Sequence, residues 1–198
     1  AIPVTCSDSR GMIYQEEGID VETLRQVKEI GRQSLTEYAK LQPNAVYTPV
    51  SEYPEGRNAV WDVPCDVAFP SATQNELNEE DAKALHKNGC KLVNEGANMP
   101  STLNAVEYMQ NNGILFGPAK AANAGGVAVS QLEMSQNASM DRWSFVEVDT
   151  KLFGIMKNIF NAAYDTSVEF GKPGDLVVGA NIAGFKKVAD SMIDEGAI

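Results

Sequence analysis

Glu95 to Pro100 reads EGANMP and Ala121 to Asn137 reads AANAGGVAVSQLEMSQN, two stretches that crowd glycine, alanine, asparagine and serine between apolar runs. Small residues let one backbone approach a ligand or another segment closely. Each stretch follows a short apolar run that predicts a strand, Lys91 to Asn94 (KLVN) and Ile114 to Phe116 (ILF), and each leads into a pattern of helical spacing. In open α/β sheets, ligands bind in the loops that leave the carboxyl ends of strands. PVTC (3–6) running into SDSRG (7–11), and DVAF (66–69) running into PSATQNEL (70–77), repeat the arrangement upstream. Polar loops from four places are therefore expected on one rim.

Outward from these loops, Ala1 to Cys6 predicts a strand. Asp20 is placed to cap a helix whose apolar positions Val21, Leu24, Val27 and Ile30, continued by Tyr38 and Leu41, recur at helical spacing, with Gly31 weakening its middle. Residues 42–56, with Pro43, Pro49 and Pro54, read as a connector. Val67 to Phe69 predicts a buried strand, Asn78 caps a helix through His86 that Gly89 ends, and a further helix covers Thr102 to Gln110. Strand and helix thus alternate as in a doubly wound, mainly parallel α/β sheet.

From Gly126 onward the pattern is helix after helix. Val148, Leu152, Ile155, Met156, Ile159, Phe160 and Ala163 make an apolar stripe on one long helix that Gly171, Pro173 and Gly174 terminate, read as packing and not as a cofactor box. A last helix carries Ile182, Phe185, Val188, Ala189, Met192 and Ile193. The expected organisation is a Rossmann-like domain over residues 1–146 followed by C-terminal helices over residues 147–198.

Composition narrows the partners. The 198 residues are 43% hydrophobic, enough for a sizeable core, and 27 acidic against 16 basic side chains leave a net charge of -11. Such a chain repels phosphate backbones, so neither nucleic acid nor an anionic membrane is expected as a partner. Cys6, Cys65 and Cys90 are odd in number and widely spaced with no CxxC, which suggests neither a disulfide framework nor a zinc site and fits a reducing cytoplasm. No apolar run approaches a membrane span, and the first residues lack the layout of a signal peptide. Glu79, Glu80 and Asp81 read as first-turn charges favoured by the helix dipole, not as a metal site. His86, the one histidine, sits beside Lys87 in a charged helix and reads as a solvated last-turn residue.

The loops carry the candidate chemistry. At the end of the second strand of a dinucleotide fold an acidic residue bonds the adenosine ribose, whereas hydroxyl and basic groups accommodate a 2′-phosphate. Ser7, Asp8, Ser9 and Arg10 offer both kinds of group, and the same residues equally favour an ordinary β-turn. No GxGxxG occurs, and GANIAG (179–184) has the wrong spacing and no strand before it. In a doubly wound fold the Gly-rich turn would precede the strand on which this chain opens. The first strand and that turn are therefore expected to be missing, leaving a sheet edge at which a non-native dimer competes with a monomer.

The segments SDSRG, CDVAFPSATQNEL, KLVNEGANMPST, GPAKAANAGGVAVSQLEMSQN and VVGANIAGFKKVADSM, in this order, resemble the C-terminal half of the hexameric glutamate dehydrogenases. The resemblance covers essentially the whole chain, and EGANMP and NAGGVAVSQLEMSQN are its most specific parts. It implies oxidative deamination of L-glutamate to 2-oxoglutarate and ammonia by hydride transfer to NADP, with NAD possible, in a homohexamer. It implies that Ser7, Asp8, Ser9 and Arg10 form the adenosine-ribose loop, and that Ala72, Thr73 and Gln74 pass the nicotinamide ribose. Asn98 is placed beside the nicotinamide and the substrate, while Val127 and Ser130 line the substrate side-chain pocket. The activating lysine, the proton-transferring aspartate and the lysines for the α-carboxylate belong, by the same resemblance, to an N-terminal substrate domain. No catalytic residue and no metal ligand is thus expected here, and the chain alone is expected to be inactive. The alternative class is a non-catalytic small-molecule or interaction domain of the same fold.

Overall fold

In the computed structural model, which describes residues 1–196, β1 (Thr5–Asp8), β2 (Gly11–Tyr14) and β3 (Val46–Pro49) form an antiparallel sheet in the order β1-β2-β3. Asp8 faces Gly11 across a two-residue turn, Ser9 and Arg10. The expected strand, loop and helix at PVTC and SDSRG is therefore corrected: SDSRG is the turn of a hairpin. Its cause lies far along the chain, in residues 46–49, which had read as part of a connector. Tyr47 and Thr48 pair with Ile13 and Met12. A Cβ at Gly11 would overlap the Thr48 carbonyl oxygen and the Tyr47 ring end, so β2 and β3 approach this closely only because residue 11 is glycine.

The predicted helix after Asp20 is also broken in two. The Asp20 side chain accepts from Thr23 N at 2.6 Å and starts α1 (Val21–Arg25), which widens into a π turn through Ile30. Arg32 has a positive φ of 49°, and Ser34 caps α2 (Leu35–Leu41). Val27, Leu35 and Tyr38 are all buried in one cluster with Ile13 and Ile19. An unbroken helix would separate Val27 from Tyr38 by about 16 Å along its axis. The break folds both onto Ile13, and the Tyr38 hydroxyl donates to Gln15 Oε1 at 2.7 Å and accepts from Asp20 N at 2.8 Å.

Of the expected buried strand Val67 to Phe69, β4 keeps Val67–Ala68; only Ala68 is buried, and Phe69 is 62% exposed. Alternate residues of a strand face opposite sides, so a two-residue strand buries one. Asn78 and Asp81 close a capping box on α3 (Glu79–Lys87). This splits the acidic trio: Glu79 and Glu80 pair with Lys83, whereas Asp81 is fully buried, with Arg57 Nε at 3.2 Å. Burial pushes the Asp81 carboxyl up, against the opposing pull of Asn78 N–H and Arg57. Thr102 caps α4 (Leu103–Asn111), where Tyr108 sits edge-on to His86 with its hydroxyl 3.1 Å from Nδ1. His86 is exposed, in the last turn of α3, as expected.

β5 (Leu92–Asn94) and β6 (Leu115–Gly117) run parallel with Val93 opposite Phe116. Helices α5 (Ala119–Ala122), α6 (Gly125–Ser139), α7 (Phe145–Glu169) and α8 (Leu176–Glu195) follow. Ser144 and Glu147 close a capping box on α7, and Gly171 and Gly174, both at positive φ, end it. The α7 and α8 backbones approach at Gly179, where a Cβ would overlap the Ala163 carbonyl. GANIAG lies inside α8, with no strand before it. An α/β fold with a parallel strand pair and helices results.

The chain divides into two units: Ala1–Ala68, Asn75–Lys91 and Ser101–Ile114 make the first, and Phe69–Gln74, Leu92–Pro100 and the residues from Leu115 onward the second. Among the described residues, no helix is long and apolar enough to cross a membrane, and no group of three or more side chains could hold a metal ion.

Candidate functional site

In the first unit, the hairpin tip presents Ser7, Ser9 and Arg10 to solvent and holds Asp8 half-buried. Both Asp8 oxygens are engaged: Oδ1 accepts from Arg10 N at 2.9 Å and Oδ2 from Lys28 Nζ at 2.6 Å. Burial pushes this carboxyl up, but the Lys28 ammonium and the turn N–H outweigh it and hold Asp8 below the usual carboxylate range. The Arg10 carbonyl accepts from the Tyr47 hydroxyl and from Val50 N, both at 3.0 Å. The tip is thus a rigid turn with two exposed hydroxyls, one exposed guanidinium and a carboxylate already neutralised by Lys28. Lys28 was not singled out from the sequence. Its only signal there was its place one residue beyond the buried Val27.

In the second unit three loops meet. Gly96 N and Ala97 N both donate to the Pro70 carbonyl, at 2.9 and 3.2 Å, which seats the loop after β5 on the segment carrying Ala72, Thr73 and Gln74. A Cβ at Gly96 would overlap Ser71 Oγ, so glycine permits that contact. Glu95, 5% exposed, accepts from Ala119 N at 2.7 Å, and its own N–H donates to Gly117 O at 3.0 Å. Asn123, between α5 and α6, donates through Nδ2 to Ala97 O at 3.3 Å and to Asn98 Oδ1 at 2.7 Å. The small-residue loops therefore come together at the carboxyl ends of β5 and β6, with Asn98 exposed and its carbonyl oxygen fixed. Glu95 and Asn123 lie in the two quoted stretches, yet nothing local distinguished a buried, bonded Glu95 from a solvated one.

Val127 and Ser130 lie three residues apart on α6, neighbours on one helix face, and both are exposed, Val127 at 72%. Ser130 is not on the first turn of α6, beside the unused backbone N–H groups. It is instead the sixth residue of α6, one turn further in, and its hydroxyl donates to Gly126 O at 3.2 Å. Gly125 and Gly126 are already helical, so α6 begins ahead of Val127.

Of the ten candidate residues, Ala72, Thr73, Gln74, Asn98, Val127 and Ser130 belong to the second unit and Ser7, Asp8, Ser9 and Arg10 to the first.

Comparison with known proteins agrees over the whole described length. Residues 1–196 match the family model described as glutamate/leucine/phenylalanine/valine dehydrogenase. An NADP-specific glutamate dehydrogenase of Helicobacter pylori is 57% identical over 196 residues, 99% of this chain and 44% of that protein. The NADP-specific glutamate dehydrogenase of Escherichia coli is 46% identical over 98% of this chain and 42% of its own. Among solved structures, the glutamate dehydrogenase of Plasmodium falciparum superposes with a TM-score of 0.90 at 47% identity, covering 98% of this chain and 41% of that one. The chain thus spans less than half the length of the curated relatives it matches.

Proposed function

The chain belongs to the glutamate/leucine/phenylalanine/valine dehydrogenase family, and on that premise we propose that it is the coenzyme-side part of an NADP-using glutamate dehydrogenase. The observation that carries the reading is the meeting of the loops at 70–74, 94–98 and 118–130, where Asn123 fixes Asn98. The names of the relatives support NADP as the coenzyme and glutamate as the substrate. Held by the residues named below, NADP would supply the hydride acceptor for oxidation of L-glutamate at Cα, with 2-oxoglutarate and ammonia as the products after hydrolysis.

The residues take the following parts. Ser7, Ser9 and Arg10 donate to the 2′-phosphate and ribose hydroxyls of the adenosine, a donor set that fits an anion because Lys28 already balances Asp8. NAD is the poorer fit at this tip, since Asp8 is already bonded through both oxygens and balanced by Lys28. Ala72, Thr73 and Gln74 line the nicotinamide ribose. With its oxygen held by Asn123, Asn98 turns its amide N–H donors toward the nicotinamide and the substrate. Val127 packs on the substrate methylenes, and the Ser130 hydroxyl swings from Gly126 O to the γ-carboxylate, whose burial unpaired would be costly.

None of these residues is assigned proton transfer. That falls to the lysine and aspartate of the substrate domain, in the part of the family's length that this chain does not span. Residues 1–146 form the Rossmann-like coenzyme domain, and the helices of 147–198 pack on it and extend toward that substrate domain. The whole protein is a homohexamer in the cytoplasm; these 198 residues alone are inactive and exist as a monomer or a non-native dimer. Hydride transfer needs substrate held in reacting geometry, and half a cleft does not provide it.

Calorimetric titration with NADPH and with NADH tests the reading, on this chain and on a form extended upstream through a Gly-rich turn. Binding of NADPH in preference to NADH by the extended form is the expected result. Absence of any nicotinamide nucleotide binding by both forms would remove the coenzyme assignment.

A further inference from the structure

Cys65 and Cys90 are brought together by a double tie between the residues that follow them. Lys91 N donates to the Asp66 carbonyl at 2.9 Å, and Lys91 Nζ pairs with Asp66 Oδ1 at 2.7 Å. Cys90 Sγ lies 3.8 Å from that same carbonyl oxygen, and the Cys65 thiol hydrogen-bonds the Cys90 thiol. Two sulfurs in hydrogen-bond contact face each other, and closing to about 2.05 Å makes a disulfide bond. Cys65 is half-buried and reachable by a small reagent, whereas Cys90 is 5% exposed. That pairing of one reachable thiol with one sheltered thiol suits attack by the first and resolution by the second.

We propose that Cys65 and Cys90 are a dithiol that small disulfide oxidants of the glutathione class convert to an intramolecular disulfide. In the first step the Cys65 thiolate attacks one sulfur of oxidised glutathione, forming a mixed disulfide and releasing one glutathione thiolate. In the second, the Cys90 thiolate attacks the Cys65 sulfur, the Cys65–Cys90 bond forms, and the second glutathione thiolate leaves. Two cysteines are oxidised, one glutathione disulfide is reduced to two glutathiones, and the two thiol protons end on them or in solvent. The Cys90 contact and burial hold the Cys65 proton on, so the reaction is slow near neutrality and quickens with pH. The charged groups beside the pair, Asp66 and Lys91, neutralise each other. This site is independent of the coenzyme reading.

The test uses the full 198-residue chain carrying Cys6→Ser, which removes the third thiol. The reduced protein is incubated with oxidised glutathione at pH 7, 8 and 9, alkylated after unfolding, and digested without reductant for mass spectrometry. The expected product is a peptide pair linked through Cys65 and Cys90, lost on adding dithiothreitol and formed about tenfold faster per pH unit. Adding Cys65→Ser should leave Cys90 alkylatable and free of adduct. A glutathione adduct that persists on Cys65, or two thiols that remain alkylatable, would overturn the proposal. So would a linkage that forms equally fast in the urea-unfolded chain, since the fold would then contribute nothing to the pairing.

Discussion

The hairpin tip at residues 7–10 and the loop cluster at 70–74, 94–98 and 118–130 are both short, polar and exposed, but they are held in different ways. The tip is fixed by side chains and strands from elsewhere in the chain: Lys28 on Asp8, Tyr47 on the Arg10 carbonyl, β3 along β2. The cluster is fixed mainly by backbone groups meeting where side chains are small, as with Gly96 and Ala97 on Pro70. A loop of the first kind depends on remote residues as well as its own. A loop of the second kind depends on what its own residues lack.

The contrast is sharpest where a missing Cβ separates two helices. Gly179→Ala would drive a methyl into the Ala163 carbonyl and against Ser167 Cβ at 3.1 Å, both on α7, which cannot turn away as a side chain would. The expected loss is about 3 kcal/mol or more in chemical denaturation. A change within about 0.5 kcal/mol, that of an ordinary surface substitution, would show that α7 and α8 do not approach so closely.

Gly11 and Gly96 set the two loop types against each other. Gly11→Ala meets the Thr48 carbonyl and the Tyr47 ring end, and is expected to cost about 2 kcal/mol. Gly96→Ala meets chiefly the Ser71 side chain, which can swing, so about 1 kcal/mol is expected. Adding Ser71→Gly should recover most of the second loss, measured as the shift in denaturation midpoint. If that double variant is no better than Gly96→Ala alone, the cluster is not held by close backbone approach.

Asn123→Ala removes the amide that bridges Ala97 O and Asn98 Oδ1, and about 1 kcal/mol of stability is expected to go with it. Asn98 should then lose its fixed orientation, read as averaging of its side-chain amide resonances in NMR. Asn123→Asp, which keeps the size but not the donor, should do the same.

The cluster was more legible than the tip for a physical reason. Gly, Ala and Asn between two apolar runs mark a loop locally, so β5, β6 and the helices after them appear where KLVN and ILF predict. At the tip, Ser, Asp and Gly favour a turn whatever follows them, and whether a helix or a strand comes next was settled by residues 46–49. Helix periodicity was likewise blind to the break at 31–34, because Val27 and Tyr38 fall on one face of an unbroken helix as well. Individual roles were the least legible. Asp81 and Glu80 are neighbours of one chemistry, yet one is fully buried against Arg57 and the other lies at the surface beside Lys83.

The smallest expected effect belongs to the remote tie at the tip, and its sign is fixed by the direction in which Asp8 moves. Lys28 and the Arg10 N–H hold the folded Asp8 carboxyl below its unfolded value near about 4. A group shifted this way adds stability that is fully present above the unfolded pKa and is lost as pH falls through the folded one. The chain should therefore lose this contribution below about pH 4, and because the pair is partly solvated the loss should stay under about 1 kcal/mol. Lys28→Met should flatten that part of the pH profile and move the Asp8 carboxyl back up, read directly by its carbon chemical shift. If the Asp8 titration is the same in both proteins, the turn N–H alone sets the carboxyl, and the hairpin tip is held by its own residues after all.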